Sequence, residues 1–574
     1  MKIKLSLSYI KFIVLILGIL CISNTDINAQ GKDKLKNWHH LDYNKDKIHG
    51  VSTYQAYDFL KKKKSVPVVV AIIDSGVDIE HPALNNVIWV NKNEIPNNVD
   101  SDNNGYIDDI NGWNFIGGKD GLNVLYDNLE ITRDYRQLKT IFGSIKPTDS
   151  TKLDPRYKEY LNIKSEYDKV LLYAQIKYFN FTNILQGIKL LNKLLQGSLN
   201  KESILINDIT QENLNNTIIA SNKDILSNLL LFKELLIKDN YSSLNEFISE
   251  LQEAIDAYDS KIKFGLNLDF NPRCGVCDNY NDKYEAFYGN NNVIGPDPRH
   301  GTHVAGIIVA QDSTTTIQGI AKNVQLMVIR VVPDGDERDK DVANGIIYAV
   351  NNGAKVINMS FGKIYSSDKN VVDKAIKYAE KHDVVMVHAA GNDSKNLDNP
   401  NNRHYPTAIY LDKNKCTTWL EVGASSWKDN QNIIAPFSNY GSKVVDVLAP
   451  GLDIYSSMPN NKYKFNSGTS MAAPVVAGIA AVVRSYYPKL KAKQVVDIIK
   501  KSSITLNIDN IIAPANDGIQ DESNANMNKS SINKVNTVTF KELSRYGIVN
   551  LYNAVELADK NSKGGFFRRL FSRD

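Results

Sequence analysis

Val66-Pro67-Val68-Val69-Val70-Ala71-Ile72-Ile73-Asp74 is a near-continuous β-branched run that closes on a carboxylate. A strand with one wet face alternates apolar and polar residues. This one does not, which marks it for a parallel sheet buried on both faces. The runs Val356-Ile357-Asn358-Met359 and Val384-Val385-Met386-Val387 repeat the pattern, and Val304-Ala305-Gly306-Ile307-Ile308-Val309-Ala310 reads as a buried helix. The expected class is therefore α/β, a mostly parallel sheet with helices on both faces, enlarged by a helical insertion. Asp74 then stands at a strand's carboxyl end, where open α/β sheets place their chemistry.

Two other segments complete that chemistry. Asn466-Ser467-Gly468-Thr469-Ser470-Met471-Ala472-Ala473-Pro474 presents Ser470 as a nucleophile, and His300-Gly301-Thr302-His303 supplies a base. A serine hydroxyl needs a base to take its proton and a pocket to receive the oxyanion. Singly, each residue has a plain structural reading: Ser470 as a helix cap, His300 as a core histidine, Asp74 as a turn residue. Their order along the chain, Asp, His, Ser, is one of the three orders known for such triads.

These segments resemble the subtilisin-like serine peptidases, the subtilases. The resemblance covers roughly residues 50 to 118 and 295 to 500 and resumes near 545. It implies that Asp74, His300 and Ser470 are catalytic, with His300 rather than His303 as the base. It also implies that Asn392, ending Ala389-Ala390-Gly391-Asn392, donates to the oxyanion. Ser360-Phe361-Gly362 would pair with an extended peptide by strand addition. With Ala389, Ala390 and Gly391 it would wall the primary specificity pocket, whose floor lies near His404. Tyr405-Pro406 is a candidate cis peptide.

The chain departs from the family between Asp74 and His300, which are 226 positions apart. Residues 155 to 198 and 222 to 263 are rich in Leu, Ile, Lys, Glu and Tyr at helical spacing, with an Asn-rich break at Asn213 to Asn216. The expected organisation is a signal peptide at 1–29, the first part of the catalytic domain at 30–118 and a mainly helical insertion at 119–295. The rest of the catalytic domain follows at 296–557, then a basic tail at 558–574. Rooted between two triad segments, the insertion reads either as a lid or substrate selector or as a peripheral decoration. A propeptide domain of the usual size is not expected before the first strand, so folding is expected either to do without it or to draw on another segment.

Asp100-Ser101-Asp102-Asn103-Asn104-Gly105-Tyr106-Ile107-Asp108 resembles a calcium loop. Asp100, Asp102, Asn104, the Tyr106 carbonyl and Asp108 could converge on the ion, while Asn111 stands where a bidentate glutamate would close an EF-hand. A solvated turn is the alternative. Ala83 follows His81-Pro82, so a second family site that uses an aspartate there is not expected.

Lysine and arginine number 68 against 64 acidic residues, a net charge of +4, too mild to point to nucleic acid. A peptide or protein substrate, structural calcium and no organic cofactor are expected. Residues 1–29 carry Lys2, Lys4 and Lys11, an apolar run and Ile27-Asn28-Ala29, which read as an export signal cleaved after Ala29. No stable membrane span is expected after its removal, and the product is periplasmic or extracellular. Cys21 offers a lipoprotein alternative, disfavoured by the bulky Ile19-Leu20 before it. Of the other cysteines, Cys274 with Cys277 is the favoured disulfide, leaving Cys416 free. The preferred function is an exported endopeptidase working through an acyl-enzyme. The alternatives are a sequence-restricted processing peptidase or peptide ligase gated by the insertion, and a catalytically silent peptide-binding protein.

Overall fold

Residues Val68–Asp74 form β1, and its side chains divide strictly between two cores. Val68, Val70 and Ile72 join one apolar cluster, while Ala71 and Ile73 join another on the opposite face. The run needs no polar positions because the sheet is covered on both sides. The computed structural model describes residues 35–145, 148, 154–215, 217, 219, 223–238, 241–312, 317–515 and 536–571. The expected signal segment with Cys21 lies outside these, as do residues 516–535 and the last three of the tail.

Around β1 the strands are β2 (Gly112–Asn114), β3 (Val324–Arg330), β4 (Val356–Met359), β5 (Val385–Ala389), β6 (Trp419–Ser425) and β7 (Val447–Pro450). Their order is β2-β3-β1-β4-β5-β6-β7, and every pairing is parallel. The chain turns from one side of β1 to the other between β3 and β4. The crevice beyond the carboxyl ends of β1 and β4 is therefore the topological switch point, the place where such sheets bind ligands.

Helices α1 (Arg299–Val309) and α4 (Thr469–Tyr486) bury their apolar residues in the first cluster. Helices α2 (Asp339–Asn351) and α3 (Lys369–Lys381) bury theirs in the second. Among the described residues α4 alone is long and apolar enough to cross a membrane, and 89% of it is buried in the core. Strands β8 (Ile454–Met458) and β9 (Lys462–Asn466) pair antiparallel and lead directly into α4.

Residues 135–268 form a compact unit of their own, distinct from the unit that holds the sheet. A 45-residue helix, Pro155–Leu199, dominates it. Asp154 caps that helix by accepting from the Arg156 N–H at 2.9 Å, with Pro155 in the first turn, where its missing N–H costs nothing. Asn200, at φ 52°, ends it in the left-handed region. The stretch at helical spacing from 222 to 263 holds two helices, Lys223–Lys238 and Leu244–Ser260. Ser243 restarts the second by accepting from the Glu246 N–H at 3.2 Å, a local competitor that helical periodicity does not register. Ile184, Leu185, Ile188, Leu229, Phe232, Leu236 and Ile255 make the unit's own apolar core. Each fully buried side chain of this kind is worth about 1.5–3 kcal/mol.

The favoured Cys274–Cys277 disulfide is absent from the structure: both residues are exposed free thiols, and Cys416 is a buried one. The Cys277 Sγ instead lies 3.0 Å from the Cys274 carbonyl.

Candidate active site

Asp74 ends β1, and its Oδ1 accepts from the Ser75 N–H at 2.7 Å and from His300 Nδ1 at 2.8 Å. That second bond fixes the His300 tautomer, leaving Nε2 as the basic nitrogen. It requires α1 to start very close to the loop after β1. Gly301 permits this, because a Cβ there would stand 2.1 Å from the Gly76 carbonyl oxygen. The Asp74 side chain is 2% exposed and that of His300 41%, so the acid is sealed while the base faces solvent. Packing around the ring disfavours the imidazolium, but the Asp74 carboxylate, with Asp297 beyond it, raises the His300 pKa above its ordinary value.

His303, one turn on, points the other way. Its Nε2 donates to the Lys464 carbonyl at 3.1 Å in β9, and burial drives its pKa down to about 3. It has no path to the crevice and packs as a neutral core residue.

Ser470 is the second residue of α4, where N–H groups have no helical partner and the helix dipole favours negative charge. Pro474, four residues later, has no N–H to give the Ser470 carbonyl. The Ser360 hydroxyl fills that gap, donating to Ser470 O at 2.9 Å, and Asn358 Nδ2 in turn donates to Ser360 Oγ at 3.0 Å. The Ser470 hydroxyl donates to Ser360 O at 3.0 Å.

Asn392 follows β5. Its Oδ1 accepts from both the Thr469 N–H, at 2.8 Å, and the Thr469 hydroxyl, at 3.0 Å. The amide is thereby oriented with Nδ2 free of that contact. A carbon placed as a Cβ on Gly468 would lie 3.6 Å from Asn392 Nδ2 and 3.6 Å from Ser470 N. Two N–H donors thus flank one small space beside the Ser470 hydroxyl, an arrangement able to receive an oxyanion.

Ser360-Phe361-Gly362 continues β4 and Ala389-Ala390-Gly391 closes β5, two neighbouring parallel strands. His404 lies between them. A Cβ on Gly362 would meet His404 Cε1 at 2.4 Å, and one on Gly391 would meet it at 2.8 Å. His404 Nε2 donates to the Ala389 carbonyl at 2.8 Å, and Tyr405–Pro406 is cis. Next to Gly362, Lys363 is 1% exposed and sits between Glu130, at 2.9 Å, and Asp339, at 2.8 Å. Lys363 anchors the Ser360–Gly362 segment from beneath. No spacing rule flags it, because its partners come from remote positions. Thr469 and Asn358 escape notice for the same reason.

The acidic loop is arranged differently from the expected ligand set. Asp100 uses one oxygen for the Asn104 N–H, at 3.1 Å, and the other for Gly105 N–H, at 2.8 Å. Asp108 likewise accepts from Asn97 and Asn98 N–H, at 3.0 and 2.9 Å. Asn104 Oδ1 accepts from the Tyr106 N–H at 2.8 Å, and the Tyr106 ring is buried among aromatics. The carboxylates brought together are those of Glu94, Asp102 and Asp109, with one oxygen of each within 4.8 Å of the others. Asp102 is common to both sets. Burial pushes the Asp109 carboxyl up to about 6, with Asp102 adding to it, against hydrogen bonds from Tyr348, Asn91 and Asn104. An all-oxygen, carboxylate-rich group of this kind can hold a hard divalent cation.

A family profile described as "Subtilase family" matches residues 66–537. The chain is 42% identical over 199 residues to subtilisin DY of Bacillus licheniformis, covering 34% of this chain and 67% of that protein. To the cell wall-associated protease of Bacillus subtilis (strain 168) it is 36% identical over 281 residues, covering 48% of this chain and 28% of that protein. Among solved structures it is similar to the prenylagaramide maturation protease PagA. That match has a TM-score of 0.34 and 28% identity, over 45% of this chain and 82% of the other.

Proposed function

The chain belongs to the subtilase family of serine proteases, and from that premise we propose that it is an exported endopeptidase cleaving peptide bonds through an acyl-enzyme. His300 Nε2 takes the Ser470 proton as the hydroxyl attacks the scissile carbonyl, and later returns it to the leaving amine. Asp74 holds the imidazole and stabilises its cation without accepting the proton. The oxyanion is received by Asn392 Nδ2 and the Ser470 N–H. An extended substrate pairs with the backbone at Ser360–Gly362, and its side chain enters between that segment and Ala389–Gly391.

The observation that carries this reading is the 2.8 Å bond from His300 Nδ1 to Asp74 Oδ1, made at the same crevice that receives the start of α4. Export rests on the basic, then apolar, character of residues 1–29. Glu94, Asp102 and Asp109 are the residues that would hold a structural calcium, which supplies rigidity to the loop and takes no part in the reaction.

An active-site serine probe of the fluorophosphonate class tests the assignment. Wild type should be labelled and should cleave a chromogenic peptide; Ser470→Ala should do neither while unfolding at a similar temperature. Equal labelling of the two proteins would overturn it.

A further inference from the structure

His388, His404 and Glu421 lie together behind the ends of β5 and β6, and the mechanism uses the polar atoms of none of them for proton transfer. One donor atom of each lies within 4.8 Å of the other two. His388 is fully buried and Glu421 is 4% exposed. The rings of His388 and His404 are 5.1 Å apart, centre to centre.

A buried polar cluster has to be satisfied, and this one is satisfied only in part. Glu421 Oε2 accepts from the Trp419 indole N–H at 2.8 Å, which orients the carboxylate. Its Oε1 faces His388 Nδ1 at 2.9 Å, a separation that a shared proton or a shared ion can bridge. The other nitrogen of His388, Nε2, is buried and has no hydrogen-bond partner. His404 donates from Nε2 to the Ala389 carbonyl, so its Nδ1 carries a lone pair. A ligating imidazole characteristically has its second nitrogen held by a carboxylate or a backbone carbonyl. His404 is held in this way by the Ala389 carbonyl, and Glu421, fixed through its other oxygen by Trp419, can share the ion with His388.

We propose that His388, His404 and Glu421 bind one borderline divalent transition-metal ion of the zinc class. Two imidazoles and a carboxylate are a donor set that suits zinc and not calcium or magnesium, and they leave a fourth position open. His404 is the partly exposed member, so the ion enters from the side of the substrate slot. Once bound, it ties β5 to β6 directly behind Ala389–Gly391 and so stiffens the segment that leads to Asn392. The site is separate from the all-oxygen group at Glu94, Asp102 and Asp109, which is selective for the opposite class of cation.

The test uses the full chain carrying Ser470→Ala and His300→Ala, which prevents self-digestion and removes the competing catalytic imidazole. After chelator treatment it is titrated with Zn²⁺ against a chromophoric zinc indicator. One equivalent should bind, with a rise in unfolding temperature. Adding His388→Gln should abolish this binding, Glu421→Gln should weaken it at least about tenfold, and Asp102→Asn should leave it unchanged. In case His388→Gln does not fold, Co²⁺ added to the unaltered site should give the visible absorption bands of a four-coordinate nitrogen and oxygen site. Failure to bind Zn²⁺, affinity unchanged by His388→Gln and Glu421→Gln, or Co²⁺ without those bands would each overturn the proposal.

Discussion

Ser470 and Ser360 are hydrogen-bonded reciprocally, the hydroxyl of each donating to the carbonyl oxygen of the other, at 3.0 and 2.9 Å. Pro474 makes this possible, since a residue with an N–H in its place would claim the Ser470 carbonyl for the helix. In the proposed mechanism a substrate strand that pairs with the Ser360 carbonyl competes with the Ser470 hydroxyl for the same acceptor. Displaced, the hydroxyl turns to His300, consistent with catalytic hydrogen bonds that tighten only in the substrate complex.

In that mechanism the Ser360 side chain is a positioning group, distinct from its backbone. Ser360→Ala should remove the partner of the Ser470 carbonyl and leave the buried Asn358 amide without its acceptor. The expected result is a stability loss of about 1–3 kcal/mol, together with a lower kcat at little-changed KM. Denaturant unfolding and steady-state kinetics on a short peptide measure the two effects. An unchanged kcat would show that the reciprocal pair does not position the nucleophile.

His300 gives a pH dependence of definite sign. Its pKa is raised by Asp74 against the cost of desolvation, and in the proposed mechanism the neutral ring is the active form. The acid limb of kcat/KM should therefore fall above pH 6.5, the ordinary imidazole value. Asp74→Asn should move that limb to lower pH while cutting kcat by roughly 10⁴-fold. For stability the sign is opposite: the ion pair contributes fully below pH 6.5 and is lost as pH rises through the raised value. A limb that stays in place in Asp74→Asn would mean that another group titrates.

Asn392 and Thr469 should separate donor from orienter. Asn392→Ala should lower kcat by roughly 10²–10³-fold with KM nearly unchanged, because the donor acts on the transition state. Thr469→Val keeps the backbone N–H contact to Asn392 Oδ1 but loses the hydroxyl, so it should cost less in kcat, again without a KM effect. A rise in KM alone in either variant would place Asn392 in substrate binding instead.

The parts of this site that are legible in the sequence are those written in short strings at element ends. Asp74 closes an unbroken apolar run, and Ser470 sits in a string whose glycine, small residues and proline all act within one helical turn. Contacts assembled from distant positions have no such signature. Thr469 meets Asn392 across 77 positions, and Lys363 meets Glu130 across 233. The acidic loop shows the limit of a spacing rule. Asn103 and Asp108 both adopt positive φ, at 57° and 54°, and the chain winds so that Asp100 and Asp108 satisfy backbone amides. Glu94, outside the expected window, then takes a place beside Asp102.

That regrouping is open to measurement. If Glu94, Asp102 and Asp109 hold calcium, the ion should raise the unfolding temperature of wild type, and Glu94→Gln or Asp102→Asn should remove most of the shift. Asp108→Asn should lower stability, because its carboxylate holds two backbone amides, yet keep the calcium shift. A shift lost in Asp108→Asn and retained in Asp102→Asn would restore the ligand set first expected from the loop.

The last prediction concerns residues 135–268. Their apolar core shares no residue with the clusters on either face of the sheet, and the two ends of the segment lie together. Arg136 Nε donates to the Leu268 carbonyl at 2.6 Å, so a short linker can rejoin the chain without stretching it. Replacing residues 140–264 with a few Gly and Ser residues should therefore leave a protein that unfolds cooperatively and still cleaves a short chromogenic peptide. The same variant checks the expectation that the insertion restricts substrates, through the ratio of activity on a folded protein to activity on the peptide. A lid or selector predicts that this ratio rises. An unchanged ratio removes substrate selection from the insertion's role. Loss of cooperative unfolding would show instead that the sheet unit depends on a segment whose core it does not share.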